Sequence, residues 1–133
     1  MSEYIREIFL IDDNQFDNEF HEHVIRSTGF GGNVIILESG LEAIRKIETS
    51  DLDIPRLIFL DINMPGMDGF EVAERITPLL RTAPKNHVYL LTSSRWAKDI
   101  ERASRIPIIQ SFITKPLASR QLNELLAANS PAQ

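Results

Sequence analysis

Five short apolar runs punctuate the chain: Ile8-Phe9-Leu10-Ile11, Val34-Ile35-Ile36-Leu37, Leu57-Ile58-Phe59-Leu60, Val88-Tyr89-Leu90-Leu91, and Ile108 to Ile113 with Gln110-Ser111 inside it. The first four are continuous rather than alternating. Such runs suit strands covered on both faces, as in a parallel sheet between helices.

Helical signals fill the gaps. Phe16, Phe20 and Val24 recur every four residues and predict one buried helix face. Thr28-Gly29 ends that helix and Gly31-Gly32 turns the chain. Ser39-Gly40-Leu41-Glu42 has the form of a capping box, followed by Ile44 and Ile47. Asp68-Gly69-Phe70-Glu71 opens a third helix in the same way, with Val72, Ala73 and Ile76 inward, and Pro78 is expected to kink or end it. A weaker helix is predicted from Arg95 to Arg105. Another runs from Ser119 to Ala128 with Leu122, Leu125 and Leu126 inward. The order is thus a strand–helix pair repeated five times, the (βα)5 pattern of a doubly wound α/β sheet with right-handed crossovers. Residues 1–128 form the predicted domain, and the polar end 129–133 reads as a frayed tail. In such folds ligands bind beyond the carboxyl ends of the strands.

Composition narrows the chemistry. The 133 residues are 43% hydrophobic and 25% charged, ordinary for a globular domain. Cysteine is absent, which excludes disulfides, thiolate metal sites and cysteine nucleophiles. A formal net charge of −5 argues against direct nucleic-acid binding. No run approaches the length of a membrane span, and the N-terminus lacks a secretory pattern, so a cytoplasmic protein is expected.

Asp12 and Asp13 directly follow the first predicted strand, and Asp61 directly follows the third. Neighbouring parallel strands would bring all three carboxylates to one sheet edge. Clustered carboxylates raise one another's pKa and cost stability unless a cation offsets them. Hard oxygen donors select a hard divalent ion, and Mg²⁺ is expected. Thr92 and Lys115 end the fourth and fifth strands at the same edge. A hydroxyl, an ammonium and a divalent cation around one carboxylate make a place for a phosphoryl group. Taken singly, each residue also has a plain structural reading: aspartates at strand ends cap helices or turns, Thr92 closes a strand, and Lys115 is a solvated charge.

The chain resembles a response-regulator receiver domain of two-component signalling. The likeness rests on Leu10-Ile11-Asp12-Asp13, on Leu60 to Gly69 (Asp61-Ile62-Asn63-Met64-Pro65-Gly66-Met67-Asp68-Gly69 after the leucine), on Leu91-Thr92-Ser93, and on Phe112-Ile113-Thr114-Lys115-Pro116. The resemblance implies the flavodoxin-like strand order 2-1-3-4-5. It implies that Asp61 accepts a phosphoryl group from a sensor histidine kinase or histidine phosphotransfer protein. It implies that Asp13, Asp61 and the backbone carbonyl of Asn63 bind Mg²⁺, with Asp12 acting through water. Thr92 and Lys115 would hold phosphate oxygens, and Lys115-Pro116 would be a cis peptide. Phe112 would be the aromatic of a Thr92–Phe112 switch that remodels the face formed by the fourth helix, fifth strand and fifth helix, where a downstream protein docks. The plain reading of Phe112 is core, the commoner case for an aromatic in an apolar strand.

Some features depart from the family. Ser93 stands where alanine is frequent, and Arg105 to Gln110 lacks the usual glycine–alanine turn. The five units use about 120 residues, so output is expected through docking or phosphorelay rather than an attached DNA-binding segment. His21, His23 and His87 read as surface or helix-packing residues. Two other functions compete. An aspartyl-nucleophile phosphatase would want a second acid where Asn63 stands. A phosphorylation-independent interaction module would usually lack part of the acidic set.

Overall fold

The computed structural model describes residues 4–130. Five strands, β1 (Glu7–Ile11), β2 (Asn33–Leu37), β3 (Arg56–Leu60), β4 (Asn86–Thr92) and β5 (Ile109–Thr114), alternate with five helices, α1 (Gln15–Ser27), α2 (Gly40–Glu48), α3 (Gly69–Leu80), α4 (Ala97–Ser104) and α5 (Ser119–Ala128). All pairings are parallel and the order is β2-β1-β3-β4-β5. The chain therefore reverses its direction of winding between β1 and β3, the position where such sheets open a crevice.

The apolar runs of β1, β3 and β4 are buried on both sides, whereas in β2, at the sheet edge, Val34, Ile35 and Ile36 are half-buried and only Leu37 is buried. Phe9, Ile11, Ile58 and Leu60 face a core shared with Ile44 and Ile47 of α2, Val72 and Ile76 of α3, and Ala103 of α4. Ile8, Leu10, Leu57 and Phe59 point the other way, against Ile25 of α1 and Leu122 of α5. In the pairing of β4 with β5 the register shifts between Val88 and Tyr89, and before β5 Ile106 is buried in the turn that replaces the glycine–alanine segment.

The helix ends follow local chemistry. The Asp68 carboxylate accepts the Glu71 amide at 2.9 Å while Glu71 accepts the Asp68 amide, a complete capping box at the start of α3. Asp68→Ala should cost about 1 kcal/mol, the usual loss for an N-cap, measurable by urea unfolding. The Ser39 box is half-formed: Ser39 Oγ accepts the Glu42 amide, but Glu42 reaches back to the amide of Glu38. Gly66 sits at φ +78, a turn conformation that favours glycine. Gly69 is required for a different reason. A Cβ there would lie 2.2 Å from the Asp61 carbonyl oxygen, so only glycine lets α3 start against the end of β3.

Three expectations need correction. The inward face of α1 is Asn18, His21 and Ile25, whereas Phe16 is 82% exposed, Phe20 is 49% exposed and Val24 is only half-buried. Apolar spacing misleads here because α1 lies over loops whose backbone groups need polar partners. Pro78 does not end α3, which continues to Leu80. The fourth helix is shorter than the predicted Arg95–Arg105 span. At the C-terminus, Asn129 caps α5 and donates to Tyr89 Oη at 2.8 Å, and Ser130 bonds Leu126; residues 131–133 of the expected tail lie outside the described residues.

Candidate functional site

The carboxyl ends of the strands are stitched together by backbone hydrogen bonds. The Asp12 amide donates to the Leu37 carbonyl, the Asp61 amide to Ile11, and the Lys115 amide to Thr92. This register brings the ends of β1, β3, β4 and β5 together. Carboxylate oxygens of Asp12, Asp13 and Asp61 lie within 4.8 Å of one another; Asp12 and Asp61 are buried and Asp13 is exposed. The donor set is hard oxygen throughout, which fits a divalent cation of the magnesium or calcium type. Asn63 follows in the exposed loop after Ile62.

Asp61 is held from several sides. Its Oδ1 accepts the Ile62 amide at 2.9 Å and its carboxylate accepts the Thr92 hydroxyl. Burial and the nearby Asp12 charge push its pKa from 3.8 up to about 6, against the opposing pull of Lys115 and the two hydrogen bonds. The cluster therefore carries charge repulsion that the protein's own cation does not fully relieve, which a bound divalent ion would offset.

Lys115 is the cation at the site. Its Nζ lies 2.7 Å from Asp12 Oδ2, 2.6 Å from Asp17 Oδ2 and 3.6 Å from Asp61 Oδ2. Burial alone would lower its pKa, but the bonds to Asp12 and Asp17 and the field of Asp61 hold it above the usual lysine value. It therefore stays charged. The Lys115-Pro116 peptide is cis. Thr92 is fully buried at the end of β4.

The structure thus gathers Asp12, Asp13, Asp61, Thr92 and Lys115, the residues singled out in the sequence. Phe112 lies on β5 opposite Leu90, half-buried against the core on the α2–α3–α4 side. Sequence reasoning missed Asp17 and left the partner of His21 unnamed. Asp17 sits in the first turn of α1, placed by Asn14, whose side chain accepts the Asp17 amide at 3.0 Å. His21, one turn further on, is buried, and its Nε2 accepts the Leu117 amide at 3.2 Å. Burial, with help from the Lys115 charge, lowers the His21 pKa, in keeping with a neutral ring that accepts this bond. Asp17, His21 and Ile25 do share helical spacing, but two of the three are polar, so hydrophobic patterning passed over them. Arg56 was also missed. It is 1% exposed at the start of β3, paired with Glu7 at 2.6 Å and Asn86 at 2.7 Å, and stacked over Phe9. It lies at the opposite end of the sheet from Asp61.

The family model for the response regulator receiver domain matches residues 8–127, and the chain belongs to that family. It is 31% identical over 124 residues to the response regulator Rcp1 of Synechocystis, covering 89% of this chain and 80% of that protein. A response regulator receiver protein from Dyadobacter fermentans superposes with a TM-score of 0.85 at 29% identity, covering 96% of this chain and 99% of that one. The Mn²⁺-bound form of Rcp1 superposes with a TM-score of 0.70 at 28% identity, covering 93% and 88% of the two chains. The chain is also 26% identical over 127 residues to hybrid signal transduction histidine kinase L of Dictyostelium discoideum, 94% of this chain but only 7% of that protein's length. Among the described residues, no helix is long and apolar enough to cross a membrane.

Proposed function

We propose that this receiver domain accepts a phosphoryl group on Asp61 from a phosphohistidine of a sensor kinase or phosphotransfer protein, with Mg²⁺ at the acidic cluster. The supporting observation is the ring of groups around one carboxylate: Thr92 bonded to Asp61, the Lys115 ammonium at 3.6 Å, and Asp12 and Asp13 within 4.8 Å. Asp12, Asp13, Asp61 and the Asn63 carbonyl would hold the ion, whose chemistry is to neutralise charge on the phosphoryl oxygens. The Mn²⁺-bound form of the Rcp1 relative supports a divalent metal in this reading.

The chain's own part in the reaction is positioning. The Asp61 carboxylate oxygen attacks phosphorus, the P–N bond to the donor imidazole breaks, and the imidazole nitrogen leaves with the electron pair and takes a proton from water. Lys115 and Thr92 then hold phosphoryl oxygens. The phosphoryl group, with a charge of about −1.5 to −2 in place of the single carboxylate charge, draws Thr92 toward it and gives Phe112 room to turn inward. The α4–β5–α5 face changes with it, and a downstream protein docks there. Ile100 of α4 is 46% exposed and Trp96, which caps α4, is 61% exposed. This signalling role places the domain in the cytoplasm.

Metal linkage gives a direct check. Mg²⁺ binds the folded cluster and not the unfolded chain, so millimolar Mg²⁺ should raise the melting temperature near neutral pH. Because a proton on Asp61 competes with the metal, the gain should shrink as pH falls through about 6. A pH-independent shift, or none, contradicts the site.

The function itself is tested by stoichiometry. With phosphoramidate and Mg²⁺, the protein should take up one phosphoryl group per chain and show no sustained turnover of 4-nitrophenyl phosphate. Many turnovers on the monoester would assign a phosphatase instead.

A further inference from the structure

Resting on the phosphoacceptor reading above, we propose that Asp17 is a positioning residue that restrains Lys115 away from Asp61 until a phosphoryl group arrives, and that release of this pair reports the phosphorylation state to α1. An ammonium has three N–H donors. Two are committed to Asp12 Oδ2 at 2.7 Å and Asp17 Oδ2 at 2.6 Å, while Asp61 Oδ2 stands at 3.6 Å, outside hydrogen-bond reach.

Only the side chain of Lys115 is free to change partners. Its own amide is tied to the Thr92 carbonyl, and two residues on, the Leu117 amide is tied to His21 Nε2. Asp17 and His21 lie one turn apart on α1, so a single helix holds both the ammonium and the backbone of the β5–α5 loop. His21 is the fixed pivot and Asp17 the exchangeable partner.

Burial decides which carboxylate gives way. The Asp12 side chain is 7% exposed, and its Oδ1 also accepts the Asn14 amide. The Asp17 side chain is 36% exposed and rehydrates readily when it loses its partner. A phosphoryl group on Asp61 offers the ammonium three strong acceptor oxygens. Lys115 then leaves Asp17, and the first turn of α1 loses a tether.

The same geometry sets the sign of the effect. Asp17 stabilises the unphosphorylated arrangement more than the phosphorylated one, so removing its charge favours the latter. Wild type, Asp17→Asn, Asp17→Glu and Glu19→Gln are saturated with Mg²⁺ and titrated with beryllofluoride, a phosphoryl mimic, while backbone amides are followed by NMR. Asp17→Asn should bind beryllofluoride roughly two- to fivefold more tightly, the scale of a part-exposed ion pair. In wild type the mimic should shift the amides of residues 17–21; in Asp17→Asn those shifts should collapse while those of Thr92 and Lys115 persist. Asp17→Glu should move affinity back toward wild type. Glu19→Gln removes an exposed charge from the same helix without an ion pair to Lys115 and should match wild type.

Equal or weaker binding by Asp17→Asn, undiminished α1 shifts in that variant, or equal tightening by Glu19→Gln would overturn the inference. Failure of the wild type to bind the mimic at all would instead sink the phosphoacceptor reading on which it rests.

Discussion

Asp61→Asn should abolish labelling by acetyl phosphate and, with Mg²⁺ withheld, make the protein more stable. The first effect follows from removing the nucleophilic oxygen. No other described carboxylate is held together by the Thr92 hydroxyl, the Ile62 amide and the Lys115 charge. The second follows from the pKa. A folded value of about 6 against 3.8 means that the folded state holds a proton which the unfolded chain has already released. For an acid raised in this way, stability declines as pH rises from about 4 through 6 and then levels off. That difference corresponds to at most about 3 kcal/mol at neutral pH. The amide keeps an acceptor for the Ile62 amide but loses the attraction of Lys115, so a net gain of roughly 1–3 kcal/mol is expected. Urea unfolding of both proteins across this pH range measures it. The two should converge below about pH 4, where both side chains are neutral. Residual labelling, or a gain independent of pH, would contradict the assignment.

Arg56→Ala should be the most destabilising single change at the other end of the sheet, at about 3–5 kcal/mol. The guanidinium bonds Glu7 Oε1 through two nitrogens, at 2.6 and 2.9 Å, donates to Asn86 Oδ1, and covers the ring of Phe9. Truncation strands a largely buried carboxylate at the start of β1, leaves Asn86 without a donor, and opens a void beside an apolar core. Replacing both partners, as in Glu7→Leu with Arg56→Met, should recover much of the loss, because an apolar pair needs no desolvated charge. Whatever fraction of Arg56→Ala remains folded should still be labelled. Arg56 begins β3 and Asp61 follows its last residue, roughly 16 Å away at the usual strand rise. Denaturant unfolding of the single and double variants, with labelling of each, separates stability from chemistry.

These two residues also mark what the sequence made legible. Asp61 announces itself because it directly follows an apolar run, with a tight turn and a capped helix behind it. Asp12, Asp13, Thr92 and Lys115 share that signature of a polar residue at a strand end. β1, β3 and β4 were readable because burial on both faces leaves an unbroken apolar run. Arg56 left no such trace, since its partners Glu7 and Asn86 are 49 and 30 residues distant. The same limit hid the inner face of α1. Asn18 bonds the Asp12 carbonyl and His21 the Leu117 amide, so polar residues face inward where local spacing favoured Phe16 and Phe20. Periodicity detects apolar burial; it is silent where a polar side chain is buried because a remote backbone group needs it.

The most direct measurement is the location of the phosphoryl group itself. The wild-type protein is incubated with a small phosphodonor in Mg²⁺ or in chelator, and the product is read by intact mass and then by peptide mapping. The account predicts the mass of one added phosphoryl group, dependent on the metal and confined to Asp61. Modification at any other residue, or equal modification without the metal, would contradict it.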